Sequence, residues 1–385
     1  MNEKKLKPDW DPRSEDVLRD QRAAYDEMRE RCPVAYSDFM QWSLFRHEDI
    51  TRVLLDHETF SNEVSQHRAV PNGMDPPDHT AYRSIIMPYF AAERMQAFEP
   101  TCCEIAADQV GNVLASDEVE LMACFALPFA VRVQCAFIGW PPTLREPLVC
   151  WTKKNYEATL AQDREAIAEI AHEFVGFIDN MIEIRLQAGA KPEDDITAAL
   201  MHEKVQGRPL SNEEIASILR NFTAGEVGTI SAAVGILVNY LAQHAELQEQ
   251  LRAQPSLLPA AIGEILRIHG PLVANRRITT RPVEICGRTI GAGERISLIW
   301  ISANRDGRVF EDPDTFRLNR DSTKNLLYGA GIHVCAGAPL ARMELRVIME
   351  ELLKRTTVIQ PVPDKLPVNA VYPGSGFVTL PLQIR

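Results

Sequence analysis

The chain lacks several features that mark common protein classes. None of its eight cysteines forms a C-x-x-C pair, so neither a structural zinc site nor a disulfide scaffold is expected. Positive charge is not in excess: 41 Lys and Arg stand against 53 Asp and Glu, a net charge of −12. This balance argues against nucleic-acid binding, which depends on clustered positive charge. The 385 residues also contain no repeat, no low-complexity tract and no Gly/Ser linker.

A long uninterrupted apolar segment is missing too. The first ten residues include several charged side chains and no apolar run follows them, so no export signal is expected. The most apolar stretch, 121–140, contains Pro128, Arg132 and Gln134, which predicts a buried helix rather than a membrane span. The expected location is therefore the cytoplasm, where the cysteines stay reduced thiols.

Helical periodicity dominates the remaining sequence. Apolar spacing predicts helices over 46–55, 81–95, 102–114 and 164–186. Strands are predicted at 42–45, in a hairpin of 283–290 with 295–301, and at 377–384. Because helices and strands are segregated rather than alternating, the expected fold class is mainly α with small β-sheets, an α+β arrangement.

One predicted helix is unusually long. Ser211 and Glu214 form a capping-box pattern, and helical periodicity then continues to about residue 243, a length of roughly 50 Å. Gly225 and Gly228 lie in its interior, although each glycine costs about 1 kcal/mol there. Either a neighbouring helix packs closely at this point, or a flat and bulky group lies against residues 224–229.

The most informative segment is residues 328–345, YGAGIHVCAGAPLARMEL. Gly329 and Gly331 precede Cys335, and Gly337 follows it before a predicted helix over 340–353. Free N–H groups and the positive end of the helix dipole favour a thiolate at Cys335. The glycines leave room for a large planar group. A single thiolate suits an iron whose equatorial ligands come from a cofactor.

This segment resembles the haem-binding signature of cytochromes P450, Phe-Gly-x-Gly-x-His-x-Cys-x-Gly followed by Leu-Ala-Arg, with Tyr328 at the first position. The resemblance covers about residue 10 to the last residue. It implies the cytochrome P450 fold, with haem b between a long central helix and the helix that follows the loop carrying Cys335, here called the Cys loop. It also implies that Cys335 is the axial iron ligand and that 1–385 is a single haem domain without a fused reductase.

The resemblance further implies which residues contact the haem. His79 and Arg83, one helical turn apart, match propionate contacts, as do Arg277 and His333. Arg276 is an alternative to Arg277, and each of these side chains could instead be an ordinary surface cation. The other expected haem contacts lie on the long helix and the Cys loop: Ala224, Gly225, Tyr328, Gly329 and Gly337.

Two residues match the family's Glu-x-x-Arg pair, Glu264 and Arg267. An exposed pair at this spacing contributes only about 0.2–0.5 kcal/mol to helix stability. In the family the pair is buried and is joined by a later arginine, which Arg320 matches. The resemblance therefore implies a structural clamp behind the Cys loop.

The long helix departs from the family pattern, in which an acid directly precedes a threonine. Here Gly228 precedes Thr229, and the nearest acid is Glu226. Residues three apart share a helix face, so Glu226 can still reach Thr229 or a water beside it. We expect Thr229 to position oxygen and Glu226 to relay protons. The alternatives are a threonine bonded back to the Gly225 carbonyl and a solvent-facing glutamate.

The implied activity is that of a haem-thiolate monooxygenase acting on a small hydrophobic substrate by hydroxylation or heteroatom dealkylation, with O2 and NAD(P)H. The sequence shows no nucleotide-binding Gly-x-Gly-x-x-Gly and no iron–sulfur cysteine cluster. The resemblance thus implies a separate ferredoxin or flavodoxin and an NAD(P)H reductase. The Ala-Gly-Glu-x-Gly-Thr variant is similar to haem domains of reductase-fused bacterial P450s and their standalone relatives.

The substrate pocket and the partner surface are less sharply indicated. The expected substrate contacts are Val227, Leu272, Val273, Asn275 and Phe377. Arg342 and Arg346 are candidates for docking a redox partner, although both could be solvated helix arginines. We expect a monomer that binds neither nucleic acid nor membrane. A peroxygenase driven by H2O2 and a non-catalytic haem-binding or gas-sensing protein are the alternative functions.

Overall fold

The computed structural model describes residues 6–65, 69–161, 163–372 and 374–385. Within these ranges the α-helices, in chain order, are α1 (Glu15–Arg19), α2 (Gln21–Arg31), α3 (His47–Leu55), α4 (Asp78–Ile86), α5 (Ala92–Val113), α6 (Leu127–Ile138), α7 (Arg145–Ala161), α8 (Arg164–Ala188), α9 (Ile196–His202), α10 (Asn212–Ala242), α11 (Ala245–Ala253), α12 (Leu258–His269), α13 (Trp300–Ala303) and α14 (Ala338–Arg355).

The strands are shorter. In the same described ranges they are β1 (Val34–Ser37), β2 (Gln41–Leu44), β3 (Phe60–Ser61), β4 (Glu118–Glu120), β5 (Lys204–Val205), β6 (Arg208–Pro209), β7 (Ala274–Thr279), β8 (Val283–Ile285), β9 (Arg288–Ile290), β10 (Arg295–Ile299), β11 (Ile359–Pro361), β12 (Val368–Asn369), β13 (Phe377–Thr379) and β14 (Pro381–Ile384). Helices outweigh the small sheets, which confirms the expected fold class.

The chain forms two compact units. The first comprises the described parts of Met1–Arg68, Asn72–Asp75 and Gly263–Cys335. Its five-stranded sheet has the order β1-β2-β10-β7-β3, in which β2 and β10 run parallel and the other pairs antiparallel. A buried apolar cluster stabilises this sheet, with Trp42, Leu44 and Leu298 among its members.

The predicted hairpin of 283–290 with 295–301 is wrong. Strand β8 pairs with β9, while β10 pairs with β7 and β2. The reason is the pair Cys286 and Gly287, whose φ angles of +49° and +72° allow a tight two-residue turn inside the predicted first strand. The later glycines serve a connection instead, where Gly293 N donates to Thr279 O at 2.7 Å.

The second unit comprises Ala69–Pro71, the described parts of Pro76–Ile262, and the described parts of Ala336–Arg385. Its central element is α10, which packs against α6, α8 and α14. The helix begins as predicted: Ser211 Oγ accepts from Glu214 N and the Glu214 carboxylate accepts from Ser211 N. A three-stranded sheet, β11-β14-β4, lies in the same unit.

Two helix predictions in this unit have different outcomes. The segment predicted as one helix over 81–95 is interrupted, because Pro88 lies in a 3₁₀ turn (Met87–Phe90) between α4 and α5. The apolar stretch from residue 121 forms a π-helical turn (Met122–Ala126) followed by α6, whose Phe129, Ala130 and Val133 are fully buried. This stretch is a buried helix, as predicted.

One helix in the described residues is long and apolar enough to cross a membrane, namely α10. Its most apolar window is 61% buried inside the fold. A buried core helix of this length passes the same test, so this is weak evidence for a membrane span.

Candidate functional site

Cys335 lies at the end of a glycine-containing loop in the first unit. Its backbone N–H donates to Tyr328 O at 2.9 Å, which closes the loop. The Cys335 side chain is exposed and forms no disulfide. Helix α14 follows, with Gly337 as its N-cap residue. The loop therefore presents an accessible sulfur just before a helix begins.

Two glycines determine the path of this loop. Gly329 and Gly331 have φ angles of +73° and +71°, in the left-handed region that glycine adopts without strain. A Cβ added at Gly331 would lie 2.3 Å from the backbone oxygen of Leu54, at the end of α3. Glycine is thus required at 331 both for its conformation and for the close approach of α3.

The structure brings Glu264, Arg267 and Arg320 together as a buried cluster. Both nitrogens Nε and Nη2 of Arg267 donate to the Glu264 carboxylate, at 2.8 and 2.9 Å, and Arg320 Nε donates to Glu264 Oε1 at 2.7 Å. Arg267 also donates to Asn304 O and Pro313 O. Arg267 thereby ties the end of α12 to the segments that precede the Cys loop.

The electrostatics of this cluster favour an ionised carboxylate. Burial alone would raise the pKa of Glu264, but the hydrogen bonds from Arg267 and Arg320 outweigh it and lower the pKa below its usual value. The single carboxylate accepts from both guanidiniums, which also donate to backbone carbonyl oxygens, so the cluster can serve as a rigid support.

Arg277, on β7 of the first unit, is buried, with 6% of its surface exposed. Its guanidinium donates to Arg276 O at 2.8 Å, and no carboxylate of the described residues lies within ion-pair distance. Burial lowers the pKa of Arg277 to about 10, and the charge of Asp75 opposes this in part. A buried cation with donors to spare suits a carboxylate such as a haem propionate. His333 lies in the 3₁₀ turn Gly331–His333 of the Cys loop.

In the second unit, α10 carries an open stripe formed by Ala224, Gly225 and Gly228. These positions are exposed although Thr223 and Val227 beside them are buried. Apart from the neighbouring backbone of α10 itself, no atom of the described residues lies within 4 Å of the place where a Cβ on Gly225 or Gly228 would stand. The open stripe thus offers a surface on which the Ala224 methyl group is the one side chain, and a flat group can lie against it.

Thr229 borders the open stripe. Its hydroxyl donates to Gly225 O at 2.7 Å and approaches Glu226 O at 3.3 Å. This is the back-bonded arrangement named above as an alternative, and it leaves the oxygen lone pairs of Thr229 available to accept. On α4, His79 is buried and Arg83 half-buried, one turn apart.

The carboxyl group of Glu226 points into the protein rather than to solvent. Its Oε1 is buried without a hydrogen-bond partner among the described residues, and its Oε2 contacts the side-chain amide of Gln134. Burial, followed by the nearby charge of Glu344, raises the pKa of Glu226 well above its usual value. The alternative of a solvent-facing glutamate therefore does not hold.

Sequence reasoning missed Glu344 and Gln134. Glu344 lies on α14 between Leu340 and Ile348, four residues from each, and so interrupts an apolar stripe. A charged residue at a core position of a helix is the signal that could have identified it.

The predicted substrate contacts fall into both units. Val273 and Asn275 belong to the first unit, as does Leu272; Val273 is fully buried and Asn275 is exposed on β7. Val227 and Phe377 belong to the second unit, where Val227 is 1% exposed and Phe377 is half-buried. Their roles stay predictions.

The two arginines predicted to dock a redox partner, Arg342 and Arg346, differ in their surroundings. Arg342 is exposed on α14. Arg346 is held on both sides, by Glu99 Oε1 at 2.6 Å and Glu350 Oε2 at 3.0 Å. Both terminal nitrogens of the Arg346 guanidinium therefore already donate to a carboxylate.

Each unit by itself has features that fit a haem group. The first supplies an exposed sulfur on a glycine loop and a buried guanidinium with donors to spare. The second supplies the open stripe of α10. A soft thiolate and a cationic donor match the iron and the propionates of haem, so the residues present fit this group.

Comparison with known proteins gives a consistent result. The family model described as Cytochrome P450 matches residues 142–384. The cyclomarin C epoxidase of Salinispora arenicola is 31% identical over 352 residues, which cover 87% of this chain and 88% of the relative. The erythromycin C-12 hydroxylase of Saccharopolyspora erythraea is 30% identical over 339 residues, 85% of each chain. A solved structure of a P450 EryK mutant in complex with erythromycin B matches with a TM-score of 0.87 and 27% identity, covering 94% of this chain and 96% of that one.

Proposed function

Since the chain belongs to the cytochrome P450 family and is therefore a haem-binding monooxygenase, we propose that it uses O2 and NAD(P)H to hydroxylate a small hydrophobic molecule or to remove an alkyl group from a heteroatom of one. The observation that carries this proposal is the exposed Cys335 sulfur on its glycine loop. When bound, the haem supplies the activation of O2, which a cysteine thiolate promotes by donating electron density.

The predicted site residues would hold the haem and the substrate. Cys335 would bind the iron, and Arg277, His333, His79 and Arg83 would bind the propionates. Ala224 and Gly225 would contact the porphyrin, and Tyr328, Gly329 and Gly337 would shape the loop around the sulfur. We propose that the substrate contacts are Val227, Leu272, Val273, Asn275 and Phe377. The clamp of Glu264, Arg267 and Arg320 keeps the loop in place.

Thr229 and Glu226 are the residues proposed to accept hydrogen bonds and transfer protons at the site. The Thr229 hydroxyl donates to Gly225 O, so its lone pairs can accept a hydrogen bond from a donor at the open stripe. Burial raises the pKa of the Glu226 carboxyl well above its usual value, so it holds a proton more firmly than an exposed glutamate does and can act as a proton donor.

The chain acts with separate proteins. We propose that a ferredoxin or flavodoxin, reduced by an NAD(P)H reductase, delivers electrons near Arg342 and Arg346. We further propose that 1–385 forms a single haem domain and that the protein acts as a monomer in the cytoplasm. The hydroxylase and epoxidase activities named for its relatives support oxygen insertion, and the apolar residues Val227 and Leu272 favour a hydrophobic substrate.

The direct test is Cys335→Ser, studied by the absorption spectrum of the reduced protein under carbon monoxide. The wild-type protein should show the shifted Soret band of a thiolate ligand, and the variant should lose both this band and activity. A retained shift would disprove the ligand assignment.

The oxidant is tested separately. Product should form with NAD(P)H, a reductase and a ferredoxin or flavodoxin. Turnover with H2O2 alone, at the same rate, would assign the protein to the peroxygenases instead. No product under either condition, with ligands that still perturb the haem spectrum, would leave a binding or sensing function.

A further inference from the structure

Arg220 on α10 is a cation without a counterion. Its side chain is half-buried, and neither a hydrogen bond nor an ion pair joins its guanidinium to another of the described residues. This is unusual in a chain whose 53 acidic residues outnumber its 41 basic ones, because a charge withdrawn from water without a partner is unfavourable. Helix α10 therefore carries a place for a negative charge that no residue of the described chain fills.

Three other arginines show what is missing at Arg220. Burial lowers the pKa of Arg22, Arg252 and Arg277 as well, but each has an acidic residue nearby whose charge raises its pKa again in part. At Arg220 burial is the one cause of the lowered pKa, and no acidic group of the described residues opposes it. The surroundings of Arg220 are thus partly withdrawn from water and hold no described carboxylate.

Arg220 lies beside the open stripe of Ala224, Gly225 and Gly228 on the same helix. Residues four apart share a helix face, so Arg220 and Ala224 are neighbours along α10. Gly225 is five residues further on, a rise of about 7.5 Å at about 1.5 Å per residue. A molecule that pairs with Arg220 and extends along the helix therefore reaches the place proposed for the porphyrin.

An apolar segment adjoins the same part of α10. Val70 N donates to Ser217 Oγ at 2.9 Å and Asn221 Nδ2 donates to Val70 O at 2.8 Å, so both polar groups of the Val70 backbone are bound to the helix. Val70 belongs to the second unit, as α10 does, and is 1% exposed. Because Ser217 and Asn221 lie close to Arg220 in the helix, the apolar segment Ala69–Pro71 is held next to the cation. The cation thus lies beside an uncharged surface that can accommodate an apolar molecule.

We propose that Arg220 is a specificity-determining residue that pairs with the carboxylate of the substrate, a compact and otherwise hydrophobic carboxylic acid. This inference rests on the proposed function and names its substrate class. A guanidinium binds a carboxylate through two parallel N–H···O hydrogen bonds, which fix its orientation as well as its position. A single cation balances one negative charge, which favours a carboxylate over a phosphate dianion. The acid group is held at Arg220, and the apolar end of the molecule extends toward the open stripe, a spacing that suits one aromatic ring with a short substituent.

Ligand binding to the haem-loaded protein tests this pairing. The ligands are para-ethylbenzoate and para-ethylbenzamide, which have almost the same shape but differ in charge. Their affinities are measured by calorimetry and by the low-to-high-spin change of the haem spectrum. Wild type should bind the acid about tenfold to a hundredfold more tightly than the amide, the ratio that corresponds to hydrogen bonds with a charged group.

Variants of Arg220 show whether this residue causes the preference. Arg220→Gln should lose the preference for the acid and bind the amide as wild type does. Arg220→Lys, which keeps the charge but not the paired hydrogen bonds, should retain part of the preference. The control is Arg19→Gln, which removes one positive charge from an exposed position on α1 and should match wild type. Haem content and circular dichroism verify that each variant is folded.

Three results would overturn the proposal. The first is that wild type binds the acid no more tightly than the amide, or does not bind the acid at all. The second is an acid preference that survives in Arg220→Gln. The third is a weaker hold on haem in Arg220→Gln with an unchanged preference, which would make Arg220 a propionate contact. Binding needs no electrons, so absence of product from a bound acid would count against the proposed reaction and not against the pairing at Arg220.

Discussion

Replacing Gly331 with alanine should disturb the Cys loop specifically. The added Cβ would lie 2.3 Å from Leu54 O, a backbone atom at the end of α3 that cannot rotate away. The backbone at residue 331 must also keep φ near +71°. For alanine this left-handed conformation costs about 1–2 kcal/mol, and relieving the contact costs about 1–3 kcal/mol more, as overpacking does elsewhere.

Gly287 provides the matched control. Its φ is +72°, and apart from its two chain neighbours no atom of the described residues lies within 4 Å of the place where its Cβ would stand. Gly287→Ala therefore carries only the cost of the conformation, about 1–2 kcal/mol. The difference between the two variants isolates the contact with Leu54.

The assay is urea unfolding of the haem-loaded protein, followed by the Soret band and by circular dichroism. We expect Gly331→Ala to lose about 2–5 kcal/mol of unfolding free energy and to release haem at lower urea than Gly287→Ala. Equal stability and equal haem retention in the two variants would refute the argument that close packing under the Cys loop fixes its path.

The remaining predictions concern charges. Glu264→Gln leaves the buried guanidiniums of Arg267 and Arg320 without their carboxylate, so it should cost about 3–5 kcal/mol in urea unfolding, and a loss below about 1 kcal/mol would contradict a buried clamp. The hydrogen bond from Arg208, which outweighs burial, lowers the pKa of Glu214 from 4.5 to about 2. A depressed pKa stabilises the fold above pH 4.5 and the benefit disappears as the pH falls toward 2, so the melting-temperature difference between wild type and Glu214→Gln should shrink over this window. A constant difference from neutral pH to pH 2 would show that Glu214 acts through something other than its charge.

Local patterns predicted those parts of the fold that depend on neighbours in sequence. The capping box at Ser211 and Glu214 fixed the start of α10 because both partners lie within one helical turn. The hairpin at 283–301 was mispredicted because the turn at Cys286 places a non-glycine residue at positive φ, which the sequence does not signal. Strand pairing of β10 with β2 joins segments far apart in the chain and has no local pattern at all.

The candidate site shows the same division. The glycine–cysteine segment is contiguous, so its residues can be identified from the amino-acid sequence alone. Glu344 cannot be identified as a site residue in this way, because its importance comes from its proximity to Glu226, which lies on another helix more than a hundred residues away in the chain. The direction of the Glu226 side chain likewise follows from the packing of α10 against α6 rather than from its spacing to Thr229.

The ion pairs of Arg346 have a consequence for molecular recognition. With Glu99 and Glu350 bound to one guanidinium, this patch carries one negative charge overall. It therefore repels an acidic protein rather than attracting it, and the rate at which such a protein arrives at this patch should rise with ionic strength as salt screens the repulsion. Selection of an electron donor at this end of α14 then falls to shape and to short-range contacts made after the two molecules meet.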